Sequence, residues 1–372
     1  MNIRIFLAAA LLVLMCSLSA YSAEREYCKS ENNYLEEKNC LEKKNHLEEK
    51  NHREEKNHRE EKSAPLKFGA DGKFKIVQFT DVHWIAGNPK SDVAGVMMNE
   101  ILDAEKPDLV IYTGDIIYGG VAEDGLRKAL EPTISRGIPF AVTFGNHDDE
   151  HNLNRQQVYE FIKGMPGNLT STVEGLKGVT NFILNVKSAE GDKDAATLYV
   201  FDSNSYSTIK GVKGYGWIGH DQVQWYIENS RNIKAANGGD TIPALAFFHI
   251  PLPEYFEAVK EGTVYMYGNR MEKVCCPEIN TGLFAAMLES GDVLGTFAGH
   301  DHINDYAVKW KGIMLCYGRY SGGGTVYHGI PGGNGARVIE LTQGEKAFRS
   351  WIRLKEGKVI NEFKFPSELI KK

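Results

Sequence analysis

The chain has no Gly-x-Ser-x-Gly elbow and no Gly-x-x-x-x-Gly-Lys-Ser/Thr loop, so the common signals for serine-based hydrolysis and P-loop nucleotide chemistry are missing. Its glycine-rich stretches, Gly322-Gly323-Gly324 and Gly332-Gly333, lack the Lys and Ser/Thr of a phosphate cradle and read as loops. Basic charge is not in surplus either. Lys+Arg number 43 against 49 Asp+Glu, for a net charge of -6, and the cations are spread among the acids, which argues against a nucleic-acid partner. Cysteine is sparse, six in 372 residues, and its spacing fits no zinc knuckle. The apolar run at residues 5–18 is too short and wrongly flanked to span a bilayer.

That run has one basic residue, Arg4, before it and Ser19-Ala20-Tyr21-Ser22-Ala23 after it. Residues 1–23 are therefore expected to be a cleaved secretory signal and the protein to be exported. Cys16 invites a lipoprotein reading, but Met15 stands where lipid attachment wants a small residue. Signal removal leaves Cys28, Cys40, Cys275, Cys276 and Cys316, an odd number, so at least one thiol is free or intermolecular. Cys275 and Cys276 could close on each other or on Cys316, and the sequence does not choose.

Residues 24–64 carry five hexads in register, 33–38, 39–44, 45–50, 51–56 and 57–62, each beginning with Asn and ending with Lys. A period of six turns equivalent positions by about 240° on a helix, so no face collects the few apolar residues and no core can form. His46, His52 and His58 could scavenge metal. A solvated tether with i,i+4 Glu/Lys pairs explains the segment better, and it could attach the protein to a cell surface or partner.

The globular part, residues 65–372, is organised around one recurrence. Residues 74–79 read as a strand ending in Thr80-Asp81-Val82-His83, and i, i+2 spacing lets Asp81 and His83 face one cation. A helix to Glu105 and a strand at 109–112 lead to Gly114-Asp115. A strand at 138–144 ends in Gly145-Asn146-His147-Asp148. Residues 242–248 end in His249 and a proline-broken loop, and residues 293–298 end in Gly299-His300-Asp301-His302. Strands alternating with helices and ending in polar residues predict a parallel sheet whose loops gather on one edge. Gly114 and Gly145 let the backbone turn tightly beneath the ligands, and Asp115 can hand one oxygen to each of two metals.

Asp81, His83, Asp115, Asn146, His249, His300 and His302 thus make seven ligands with one bridging carboxylate, enough for two cations. Mixed imidazole, carboxylate and amide donors suit iron, zinc or manganese and not calcium. His220 reads as a helix-start residue. His151, three residues past Asp148, is a candidate substrate contact. Arg319, Tyr320 and the glycine loop to Gly335 either shape the substrate mouth or form an ordinary surface loop. Residues 336–341 and 351–354 read as antiparallel strands closing the second sheet.

The ordered set Asp81-Val82-His83, Gly114-Asp115, Gly145-Asn146-His147-Asp148, His249 and Gly299-His300-Asp301-His302 resembles the calcineurin-like metallophosphoesterase superfamily over residues 74–320. The segments His249-Ile250-Pro251-Leu252-Pro253-Glu254 and Asn280-Thr281-Gly282-Leu283-Phe284 resemble more closely its purple-acid-phosphatase-like subgroup, some of whose plant members are labelled probably inactive. The resemblance implies an α/β fold, a four-layer α/β/β/α sandwich of two mixed sheets with a dinuclear metal site at the strand ends. It assigns Asp81, His83 and His302 to one metal, Asn146, His249 and His300 to the other, and Asp115 to both. His147 would stabilise the phosphoryl oxygens or protonate the leaving group, oriented by Asp148. Purple enzymes proper carry Gly at the position of His83 and a tyrosinate where Tyr118 stands, so Tyr118 is expected to line the cleft while His83 binds metal.

The implied activity is hydrolysis of phosphate monoesters by attack of a metal-bound hydroxide, with two divalent or mixed-valence ions about 3.5 to 4 Å apart. The substrate would be a phosphorylated small molecule or ester. A phosphodiesterase on the same centre and a metal-loaded binding protein without turnover are the alternatives.

Overall fold

The computed structural model describes residues 65–260 and 266–366. The expected secretory signal, residues 1–23, and the expected tether, residues 24–64, lie outside the described residues. Thirteen strands and six helices follow in the order β1 (Lys73–Phe79), α1 (Pro89–Glu105), β2 (Leu109–Thr113), α2 (Ala122–Ile134), β3 (Phe140–Thr143), α3 (Arg155–Ile162), β4 (Phe182–Lys187), β5 (Asp194–Val200), α4 (His220–Ala236), β6 (Ala244–Phe247), α5 (Pro253–Lys260), β7 (Met266–Tyr267), α6 (Leu283–Ser290), β8 (Val293–Ala298), β9 (Ala307–Trp310), β10 (Ile313–Tyr317), β11 (Gly335–Thr342), β12 (Phe348–Leu354) and β13 (Val359–Phe365).

Local chemistry explains the pieces. In α1 the side chain of Asn88 caps the Lys90 N–H, Pro89 sits in the first turn, and Lys106 ends the helix in a left-handed conformation. Its buried Ala94, Met97, Met98, Ile101 and Leu102 recur at three- and four-residue spacing, the stripe a helix needs to cover a sheet. The helix α4 starts at His220, with Gly219 as its cap and His220 itself exposed.

Two mixed sheets result. One has the order β13-β12-β11-β1-β2-β3, the other β4-β5-β6-β8-β10-β9-β7. The strands β1, β2 and β3 run parallel, as do β5, β6, β8 and β10, while hairpin partners at the flanks run antiparallel. Alternating side chains of fully buried strands point to opposite faces. Phe74 and Ile76 of β1, with Leu109 and Ile111 of β2, meet Leu198, Leu245 and Phe297 of the other sheet in a central core. Val77, Phe79, Val110 and Tyr112 face α1 and α2 instead. A third core joins Phe248, Tyr255 and Tyr317 to α4, α5 and α6. Three cores between four layers make the expected α/β/β/α sandwich.

One expectation is corrected. The strands β11 and β12 are antiparallel, but they extend the first sheet beside β1 rather than closing the second. The second sheet is closed by β10, β9 and β7. Alternation in sequence shows that a strand has two faces but not which neighbour it pairs with. Among the described residues no helix is long and apolar enough to cross a membrane. Cys275, Cys276 and Cys316 are each free, Cys316 buried in β10.

Candidate metal centre

All seven ligand-type side chains stand just past the carboxyl ends of parallel strands: Asp81 and His83 after β1, Asp115 after β2, Asn146 after β3, His249 after β6, His300 and His302 after β8. All seven are buried. Asp81, His83, Asp115 and His302 converge in one group, and Asp115, His249 and His300 in a second, so Asp115 belongs to both.

The backbone is bent to make this possible. Asp81, His83, Asp115 and His300 have φ of 53°, 47°, 50° and 79°, left-handed values that cost a non-glycine residue about 1–3 kcal/mol. Backbone hydrogen bonds hold the turns, from Asp81 N–H to the Gly114 carbonyl at 3.1 Å and from His83 N–H to the Asp115 carbonyl at 2.9 Å. Two glycines permit the approach. A Cβ on Gly145 would lie 2.1 Å from Asp115 Oδ1, and one on Gly114, whose φ is +85°, would lie 2.6 Å from the His249 ring.

Hydrogen bonds to the outer nitrogens aim the rings. His249 Nδ1–H donates to the Thr113 carbonyl at 2.7 Å, which turns Nε2 inward, 3.2 Å from Asp115 Oδ2 and 3.3 Å from His300 Nδ1. His302 Nδ1–H donates to the Tyr327 carbonyl at 2.9 Å, leaving its Nε2 facing His83 Nε2 at 2.9 Å and Asp81 Oδ1 at 3.6 Å. Asn146 Nδ2 donates to the Tyr206 hydroxyl at 3.1 Å, while Asn146 Oδ1 is buried without a hydrogen-bond partner. Each pair of facing ring nitrogens is held either by one shared proton or by a cation between them, and Asn146 Oδ1, His83 Nδ1 and His300 Nε2 stay buried without a hydrogen-bond partner. A borderline transition metal fits this donor set.

The groups titrate in two ways: three rings are neutral, whereas His249 is a cation paired with Asp115, and a metal would have to displace its Nε2 proton. Burial holds His83 and His300 well below the ordinary imidazole range and His302 at about 4, so these rings stay neutral lone-pair donors. Burial presses on His249 in the same sense, but the charge and hydrogen bond of Asp115 outweigh it and lift His249 to about 9. Asp115, despite its burial, is kept well below the usual carboxylate value by His249. Burial, with repulsion from Asp115, raises Asp81 to about 7.

Two placements differ from the sequence reading. Asp148 does not touch His147. Its buried carboxylate accepts the backbone N–H groups of Asp115, Ile116, Ile117 and Gly145 at 2.7 to 3.3 Å, and so ties the β2 and β3 loops together. The carboxylate beside His147 Nδ1 is Glu150, which also accepts the Tyr206 hydroxyl at 3.1 Å. Arg319 is fully buried in an ion pair with Asp305 and donates to the carbonyls of Pro331 and Gly333, so it anchors the glycine loop and does not face the mouth. Tyr320 is buried too.

His147 is only partly buried, and its backbone N–H donates to Asp115 Oδ1 at 2.9 Å. Tyr118 lies over the cleft, edge-on to His83 at 5.2 Å and to His147 at 4.9 Å. Glu150 and Tyr206 were missed in the sequence. The only trace of Glu150 is its i+3 spacing from His147, and nothing marks Tyr206. A partly buried Arg155, paired with the buried Asp202, supports the β3 end by donating to the Gly145 carbonyl at 2.7 Å.

The pattern of the calcineurin-like phosphoesterase family matches residues 74–304. A probable inactive purple acid phosphatase 29 of Arabidopsis thaliana is 33% identical over 330 residues, 79% of this chain and 83% of the relative. Phosphatase DCR2 of Saccharomyces cerevisiae is 36% identical over 340 residues, 80% of this chain but 56% of the relative. The crystal structure of a dimetal phosphatase from Danio rerio superposes with a TM-score of 0.55 at 13% identity, covering 78% of this chain and 98% of that one, a likeness of fold alone.

Proposed function

The chain belongs to the calcineurin-like phosphoesterase family, and we propose that it hydrolyses phosphate monoesters at a dinuclear metal centre. The observation that carries this reading is the place of Asp115 in both ligand groups. Asp81, His83 and His302 would hold one ion, Asn146, His249 and His300 the other, with Asp115 shared. Two such cations, when bound, supply a water-derived nucleophile at neutral pH and offset charge on the phosphoryl oxygens.

The protein's own groups do the rest. Asp115 is fixed by its backbone N–H to Asp148 and by its Oδ1 contact with His147 N–H. His147, partly open to the cleft, would donate a proton to the departing alkoxide from Nε2, a reading supported by the contact of its Nδ1 with Glu150. The names of the plant relatives favour a second reading, a protein that binds metal and phosphate without turnover. The complete ligand set and the retained His147 count against it. Export through residues 1–23 is part of the proposal, checked by mass spectrometry of the mature N-terminus.

The deciding experiment loads the purified full chain with iron, zinc or manganese. It compares p-nitrophenyl phosphate with its bis ester, alongside elemental analysis. Faster turnover of the monoester with two bound ions is expected. Preference for the bis ester would give the site to diesters, and the absence of both turnover and bound metal would end the hydrolase reading.

A further inference from the structure

Four tyrosines surround the mouth of the metal centre. Tyr118 is edge-on to His83 and His147, Tyr215 edge-on to His300 at 4.3 Å, and Tyr206 stacked on Tyr215 at 5.8 Å. Tyr327 stacks on His302 at 4.2 Å. Tyr118, Tyr206 and Tyr327 remain 38%, 44% and 56% exposed. One exposed tyrosine is ordinary on a protein surface. Four gathered around a single ligand cluster make a patch.

The rings are also pinned. Tyr206 donates to Glu150 Oε1 at 3.1 Å and Tyr327 to Glu272 Oε2 at 3.0 Å, so their rotamers are set before anything binds. Carboxylates stand at the mouth beside the rings. Among the described residues no lysine or arginine side chain hydrogen-bonds or ion-pairs with the seven ligand-type residues or His147 (Arg155 reaches only backbone carbonyls there), whereas Glu150 and Glu272 stand at the rim. Such walls offer flat apolar contact to an organic group and repulsion to a second anion. The leaving group must pass beside His147 to receive its proton, and Tyr118 is the ring beside His147.

We propose that the site selects phosphate monoesters whose leaving group is an uncharged aromatic ring, with Tyr118 and Tyr327 as the specificity-determining walls. The proposal rests on the phosphohydrolase reading above. Its test is competitive inhibition of the metal-loaded full chain by phenylphosphonate and cyclohexylphosphonate, which match in size but not in planarity. Phenylphosphonate is expected to bind about 5-fold more tightly, in the range of aromatic pair contacts. The combined Tyr118→Leu and Tyr327→Leu variant should bring the ratio to about one, and Tyr118→Phe with Tyr327→Phe should keep it. Inorganic phosphate should inhibit wild type and both variants alike, which reports an intact centre. 4-Phosphonobenzoate, with its added carboxylate, should bind several-fold more weakly than phenylphosphonate.

Equal affinity for the phenyl and cyclohexyl compounds in the wild type overturns aromatic selection, as does a ratio that survives in the leucine variant. A wild type that turns over no ester under any metal refutes the phosphohydrolase reading itself, a different result from an active wild type without the phenyl preference.

Discussion

The two sheets bring different chemistry to the seam where they meet. Strands β1, β2 and β3 of the first deliver Asp81, His83, Asp115 and Asn146, which include all the carboxylates of the cluster. Strands β6 and β8 of the second deliver His249, His300 and His302, imidazoles alone. Strain is divided as unevenly, since three of the four left-handed ligand residues lie on the first sheet. Carboxylates by themselves would suit a hard cation, and imidazoles by themselves would leave its charge unbalanced. The centre therefore exists only while the intersheet core holds both edges in register.

Substitutions can break that division in order of effect. Asp115→Ala removes the one side chain common to both groups, and elemental analysis should find both ions lost and turnover at background. Retention of a full metal complement by this variant would refute the shared-carboxylate picture. His249→Ala acts from the second sheet alone. It should cost one ion and leave the group of Asp81, His83 and His302 able to bind the other, so metal content falls by about half. If His249→Ala emptied both sites, the two groups would not be separable.

His147→Ala lies outside both ligand groups. The metals should stay, and the rate should fall about 10²- to 10⁴-fold. Glu150→Gln should cost about 10- to 100-fold, the usual scale of a group that orients another. The loss should be greater on alkyl phosphates than on p-nitrophenyl phosphate, whose leaving group departs without a proton. Equal losses on both would mean that Glu150 acts on folding and not through His147. Asp148→Ala is expected to show itself in stability first. Stranding buried N–H groups costs about 1–3 kcal/mol each, and calorimetry should record a melting point lower by several degrees.

Much of this could be read along the chain because strand ends announce themselves. An apolar run followed at once by Asp-x-His, Gly-Asp, Gly-Asn-His or Gly-His-x-His places a ligand within a residue or two of a known element. Asp148 shows the limit. The family resemblance implied that it orients His147, but consecutive residues in a tight turn point different ways, and its carboxylate faces the N–H groups of the neighbouring loop. Arg319 misled similarly, since a cation beside a glycine loop gives no hint of a buried partner such as Asp305, 14 residues earlier in the chain.

By itself, then, the order of residues determined which seven polar side chains follow five strand ends and the need for glycine at 114 and 145, because each follows from local periodicity and backbone sterics. Only the tertiary structure decided that Glu150 rather than Asp148 meets His147, that β11 and β12 join the first sheet, and that four tyrosines close around the mouth. Those outcomes depend on which surfaces pack together across long stretches of chain. Periodicity records which way a side chain faces, not what it will find there.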